Sequence, residues 1–94
     1  MPQYRIAHVK EQGVDLIIIP LEASFGNLTQ PDQQKTIALL QLHATGAGLR
    51  GTVVPVWDSG TGQMFFIAPE RWHPFFRSIG LAWVAANINR ELSW

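Results

Sequence analysis

The side chains most capable of chemistry lie in two short stretches of the second half of the sequence. Trp57 and Asp58 end one apolar run, and Arg71, Trp72 and His73 follow the next one. A carboxylate within reach of an imidazole could share general acid–base work. An arginine beside an aromatic ring could clamp a carboxylate or stack on a base. We therefore predict that these five residues form a binding site, with packing of the rings in the core as the alternative.

Asp58 opens the segment Asp58-Ser59-Gly60-Thr61, which resembles the D-[ST]-G-[ST] loop of dimeric aspartic proteases. In that family two copies pair their aspartates so that one is protonated and one ionised. The family is almost all β, whereas this chain devotes two long segments to predicted helix. We therefore favour a hairpin turn in which the Asp58 carboxylate accepts hydrogen bonds from its own main chain.

The segment from Gly46 to Gly51 matches the pattern G-x-G-x-x-G. A dinucleotide site needs a strand before this pattern and a helix after it, so that the phosphate meets a helix N-terminus. Here a predicted helix precedes the glycines and a predicted strand follows them. The dipole at a helix C-terminus disfavours phosphate, so we predict no nucleotide and no other cofactor.

Metal and thiol chemistry are also not expected. His8, His43 and His73 have no histidine or carboxylate at the spacing typical of metal ligands, and the chain contains no cysteine. A cysteine-free chain has no disulfides and no cysteine nucleophile, which suits a cytoplasmic location.

Two strand–turn–strand units, each followed by helix, must position these residues. Alternating or β-branched apolar residues predict strands over 4–10, 14–21, 52–57 and 63–68. Pro55 inside the third strand favours an edge position or a bulge. Thr29 and Pro31 predict the start of a helix that runs to about Thr45 and is closed by Gly46 and Gly48. Its apolar stripe contains Leu40 and Ala44 and is widened by Leu39 and Leu42.

The end of the sequence predicts a final helix over residues 81–92. Apolar residues recur there at i, i+3, i+4, i+7 and i+11, from Leu81 to Leu92. A second face of this helix carries two tryptophans with polar residues between them. We predict that this face is an interface formed by Trp83, Asn87, Arg90 and Trp94.

Together these elements predict an α+β fold in a single domain over residues 1–94. The order ββα–ββα predicts one four-stranded mixed sheet with the helices packed on one face. If the second and third strands are neighbours, the helix between them makes a crossover connection and the two strands run parallel.

The composition favours a partner for this domain. Charged residues make up 15% of the chain and apolar residues 47%, so we expect apolar surface to remain after folding. A second copy of the chain would cover that surface in a homodimer. The net charge is zero, which does not favour nucleic acid as a partner, and no apolar run approaches the length of a membrane span.

Three segments resemble a family of short bacterial proteins of unknown function. They are residues 51–57 (GTVVPVW), residues 66–69 with 72–76 (FIAP and WHPFF), and residues 84–90 (VAANINR). The resemblance covers most of the chain and implies no activity and no catalytic residue.

These observations lead to one main functional hypothesis and two alternatives. The main hypothesis is a non-enzymatic binding or interaction domain that forms a homodimer, with a small molecule or a protein as a further ligand. The first alternative is a small hydrolase with its site between Asp58 and the Arg71–His73 segment. The second is a domain that binds single-stranded nucleic acid on an aromatic, arginine-flanked surface.

Overall fold

A computed structural model describes residues 3–94 and confirms the α+β class. It contains one sheet of five strands, one more than predicted, and three α-helices. The strands and helices follow in the order β1 (Gln3–Glu11), β2 (Val14–Pro20), α1 (Gln30–Gly46), β3 (Thr52–Asp58), β4 (Met64–Phe66), α2 (His73–Ser78), α3 (Leu81–Ala86) and β5 (Arg90–Ser93). Two short 3-10 helices, Ala23–Asn27 and Glu70–Trp72, precede α1 and α2.

The first hairpin forms as its turn residues predict. Glu11 pairs with Val14, which leaves a two-residue loop of Gln12 and Gly13. Both loop residues have positive φ, 50° and 78°. This is the backbone of a type I′ turn, whose twist matches that of the strands it joins.

The connection from β2 through α1 to β3 makes the two strands parallel neighbours, as predicted. The Thr29 hydroxyl accepts a hydrogen bond from Asp32 N and caps the start of α1. At the other end Gly48 has a φ of 84°, and Leu49 N donates to Ala44 O at 3.0 Å. This Schellman geometry satisfies carbonyls that the helix leaves open and turns the chain toward β3.

The strand order is β4-β3-β2-β1-β5, so β3 is not the edge strand that Pro55 was expected to mark. Ile67 N donates to Pro55 O at 3.2 Å, but Pro55 has no N–H to return the bond. The β4 strand ends at Phe66, one residue before this position. The proline is tolerated because it lies where the β3–β4 ladder stops.

The helices pack on both faces of the sheet, not on one. Leu40 and Ala44 of α1 pack with Ile17 and Val53 on one face. Phe76 of α2 and Val84 of α3 pack on the other face, together with other buried residues that include Leu16, Ile18, Val54 and Val56. We call these the α1 face and the α2/α3 face. Because β2 is apolar on both sides, it can serve a two-sided core.

The last part of the chain differs most from the prediction. The helix ends at Ala86 rather than continuing to Leu92. Residues Arg90–Ser93 instead form β5, which pairs antiparallel with β1. Leu92 is buried, as the apolar stripe predicted. However, it belongs to a strand rather than a helix, and it packs on the α1 face. The open edge of β1 provides main-chain hydrogen bonds that helical periodicity does not reveal.

Candidate functional site

Asp58 ends β3 and forms the turn that precedes β4. Its Oδ1 accepts hydrogen bonds from Gly60 N at 2.8 Å and from Gly62 N at 3.2 Å. The turn closes with a bond from Ser59 N to Gln63 O at 2.9 Å. One carboxylate oxygen is therefore engaged in shaping the hairpin, as the interpretation of this segment as a turn predicted.

The Arg71–His73 segment lies at the start of α2. Trp72 is only 5% exposed and packs in the core of the α2/α3 face. The Arg71 guanidinium carbon lies 5.3 Å from the centre of the Trp72 ring, a cation–π arrangement. His73 Nε2 lies 3.0 Å from Ala68 O, and the imidazole packs edge-on against Phe66. Trp72 and His73 therefore help to hold α2 against the sheet.

Trp57 lies on the α1 face, opposite to Trp72. Its ring packs edge-on against Phe25 of the first 3-10 helix, with ring centres 5.0 Å apart, and against Phe65 of β4 at 6.2 Å. Gly26 approaches the indole so closely that a Cβ there would lie 2.6 Å from Trp57 Nε1. The sheet therefore separates Trp57 from Trp72.

The five predicted binding residues do not line a single cavity. Trp57 borders one cavity of about 540 Å³ with Phe65 and Arg77, and Arg71 and Trp72 border another of about 190 Å³. Neither cavity is lined by Asp58 or His73. Among residues 3–94 the hydrogen bonds of the Asp58 and His73 side chains go to nearby main-chain atoms and not to each other.

The four predicted interface residues also separate, because the helix that would have aligned them ends at Ala86. Trp83 packs edge-on against Phe75 at 5.7 Å, and Asn87 Nδ2 donates to Trp83 O at 2.8 Å. Arg90 and Trp94 lie on and just after β5. The prediction that they share one helix face is therefore wrong.

Trp94 forms an aromatic cluster that the sequence did not reveal. Its ring stacks on His43 of α1, with ring centres 3.9 Å apart and planes 4° apart. It also stacks on Tyr4 of β1 at 5.4 Å. This cluster fixes the residue after β5 against the helix. The apolar periodicity of residues 81–92 predicts a helix and therefore does not bring Trp94 near His43 or Tyr4.

The outer side of α1 is a second feature that the sequence analysis missed. Leu39 is 46% exposed and Leu42 is 68% exposed, although both were predicted to widen the buried stripe. Ala38 and Gly46, one turn away from Leu42 on either side, are exposed too. These four residues form an apolar strip that faces away from the sheet, which we call the outer strip.

A further cavity, of about 640 Å³, opens where β2 ends and α1 begins. Its apolar lining comes from Tyr4, Leu21, Phe25 and Leu28, and Glu22 and Thr36 also border it. Arg5 and Ser24 line it as well.

Three further findings bear on function. Within residues 3–94 no three histidine, aspartate or glutamate side chains lie close enough together to hold a metal ion. The helices of the described chain lack the length and apolar character needed to cross a bilayer. No known protein family, curated protein or solved structure matches this chain.

Proposed function

We propose that this domain is a non-enzymatic protein-interaction module that acts as a homodimer. The observation that carries the interaction role is the outer strip of α1. Leucines at helix positions that face solvent leave apolar area in contact with water, and a partner that covers them gains roughly 25 cal/mol for each Å² of apolar surface. Its location would be cytoplasmic, which a chain without cysteine suits.

The outer strip is not needed to hold α1 in place. The helix already buries Leu40 and Ala44 against the sheet, and Leu42 lies on the opposite side of the helix. The small residues Ala38 and Gly46 flank Leu42, so another helix or an apolar loop could approach closely. The border of the strip carries little charge, and the charged residue there is the exposed Lys35. This composition favours a protein partner with an apolar contact surface.

The two alternatives have less support. A hydrolase with its site between Asp58 and Arg71–His73 needs a carboxylate and an imidazole that act on one substrate, whereas the two side chains bond separate turns. A single-stranded nucleic acid needs exposed rings on which bases stack, whereas Trp72 is buried. The zero net charge argues in the same direction.

The partner surface is tested by photo-crosslinking in living cells. A photoreactive phenylalanine analogue replaces Leu42 in one variant and Gln30, exposed in the first turn of the same helix and two turns before the strip begins, in the other. We expect a discrete protein adduct from position 42 and none from position 30. Equal adducts from both positions, or none from either, would count against the strip as a binding surface.

The homodimer is tested by sedimentation equilibrium from low micromolar to near-millimolar concentration. We expect the weight-average mass to rise from that of one chain toward that of two. A mass that stays at 10.5 kDa across the whole range would remove the homodimer from the proposal.

A further inference from the structure

The free edge of β5 is suited to pairing with a second copy of the chain. We infer that β5 pairs antiparallel with β5 of the partner subunit, with Leu92 facing the partner's Leu92. The two five-stranded sheets then form one sheet of ten strands. This inference rests on the proposed homodimer and assigns its contact surface.

The main-chain groups on the free edge follow from the contacts of His8. Its N–H and C=O both bond the Asn89 side chain, so His8 points them toward the β5 side of β1. Tyr4 and Ile6 lie an even number of residues from His8 along β1. Their main-chain N–H and C=O groups therefore also point toward β5. Their partners Leu92 and Arg90 must turn their polar groups toward β1. Glu91 and Ser93 then direct theirs outward, where no strand of residues 3–94 meets them.

Only a few antiparallel registers join these outward groups to a second copy. One places Glu91 opposite the partner's Glu91, which brings two carboxylates together. Another places Ser93 opposite the partner's Ser93 and leaves a single hydrogen-bonded pair within the strands. The third places Glu91 of each subunit opposite Ser93 of the other. These two pairs give four main-chain hydrogen bonds about the two-fold axis. The third register is therefore the favoured one.

The side chains are complementary in that register. Leu92 lies opposite the partner's Leu92 across the axis and, because it is buried on the α1 face of its own subunit, places no polar side chain there. Arg90 lies opposite the partner's Trp94, and arginine side chains pack well on indole rings. The Trp94 ring is already held by His43 and Tyr4, so little side-chain entropy is lost when the contact forms. On the other face the Ser93 hydroxyl can donate to the partner's Glu91.

The opposite edge of the sheet is less suited to the same contact. The β4 strand has three residues, Met64–Phe66. The middle one, Phe65, packs on Trp57 of the neighbouring strand. This strand is one residue shorter than β5 and is at the lower limit of strand length in folded proteins.

Disulfide crosslinking tests the register in a chain that has no native cysteine. In the favoured register the Cα atoms of Glu91 and the partner's Ser93 lie about 5.5 Å apart, within disulfide reach. We expect the double variant Glu91→Cys/Ser93→Cys to form a disulfide-linked dimer under mild oxidation. Either single variant places its thiols on a diagonal about 7–8 Å apart and should crosslink at least tenfold more slowly. Efficient crosslinking of Glu91→Cys alone would overturn this register.

A second variant tests the edge without any thiol. Ser93→Pro removes an N–H that points outward and is not used by β1, so the monomer fold should persist. We expect the dissociation constant of the dimer to rise at least tenfold in Ser93→Pro but not in Ser93→Ala. If wild-type protein sediments as a dimer and Ser93→Pro does too, the β5 pairing is overturned and the homodimer remains. A monomeric wild type overturns both.

Discussion

The side-chain amide of Asn89 pairs with both main-chain polar groups of His8. Asn89 Oδ1 accepts from His8 N at 2.9 Å, and Asn89 Nδ2 donates to His8 O at 2.8 Å. The main chain of Asn89 adds a bond to Ile6 O at 3.0 Å. The amide therefore extends the β1–β5 ladder by one step beyond the point where β5 begins.

Replacing Asn89 by alanine should loosen the last strand. Two solvent-accessible hydrogen bonds are lost, each contributing about 0.5–1.5 kcal/mol to the unfolding free energy. Chemical denaturation measures the loss. Hydrogen exchange should accelerate at the His8 amide more than at Val9, which bonds β2. The exposed Asn27→Ala variant is the control. Equal stability of the two variants would show that the Asn89 amide does not contribute.

The side-chain amide of Gln41 likewise bonds main-chain groups near the opposite edge of the sheet, where β4 leaves part of β3 unpaired. Its Oε1 accepts from Val53 N at 2.9 Å and its Nε2 donates to Gly51 O at 3.1 Å. Gln41→Glu puts a carboxylate oxygen against the Gly51 carbonyl, so we expect a loss of about 1–3 kcal/mol. The exposed Gln34→Glu variant makes the same charge change on the same helix and should stay within about 0.5 kcal/mol of wild type. Similar losses in both variants would point to the added charge rather than to the lost bond to Gly51 O.

Gly51 is a position where only glycine fits. Its φ is 120°, and a Cβ there would overlap the carbonyl oxygen of Asp15 in β2. We expect Gly51→Ala to cost about 3 kcal/mol, from backbone strain and from forcing β3 away from β2. Gly46→Ala, at a helical position with open space around it, should instead stabilise by about 0.5–1 kcal/mol. Thermal unfolding of the two variants should shift in opposite directions, and a Gly51→Ala variant as stable as wild type would contradict the close approach.

The turn role of Asp58 can be separated from a catalytic one. Asparagine keeps an oxygen that accepts from Gly60 N and Gly62 N, so Asp58→Asn should change the unfolding free energy by less than about 0.5 kcal/mol. Asp58→Ala removes the acceptor and should cost about 1 kcal/mol. Urea unfolding distinguishes the two variants. A large loss in both would indicate that the charge itself matters, which the turn geometry does not predict.

Local patterns were sufficient to predict the first two-thirds of the fold. The alternation in β1, the Gln12–Gly13 turn and the caps of α1 each depend on residues close in the chain. The parallel pairing of β2 and β3 followed from the helix between them. Such signals are readable because the chemistry that creates them is local.

Residues 87–94 could not be assigned in this way. Leu92 has the same apolar character whether it completes a helical stripe or a strand, and the choice depends on the open edge of β1, more than 80 residues away. Tertiary packing also decides on which face of the sheet each helix lies. For that reason the sequence did not reveal that Trp57 and Trp72 lie on opposite sides of the sheet, or that Leu42 faces solvent.

The pairing of the first strand with the last has a consequence for synthesis on the ribosome. Chains emerge at roughly 5–20 residues per second, and elements fold as their partners become available. The β1–β2 hairpin, α1 and β3 can assemble while residues 90–93 are still being made. During those seconds Tyr4 and Ile6 present an unpaired, apolar strand edge to other nascent chains. This aggregation hazard ends once residues 90–93 have left the ribosomal tunnel and paired with β1.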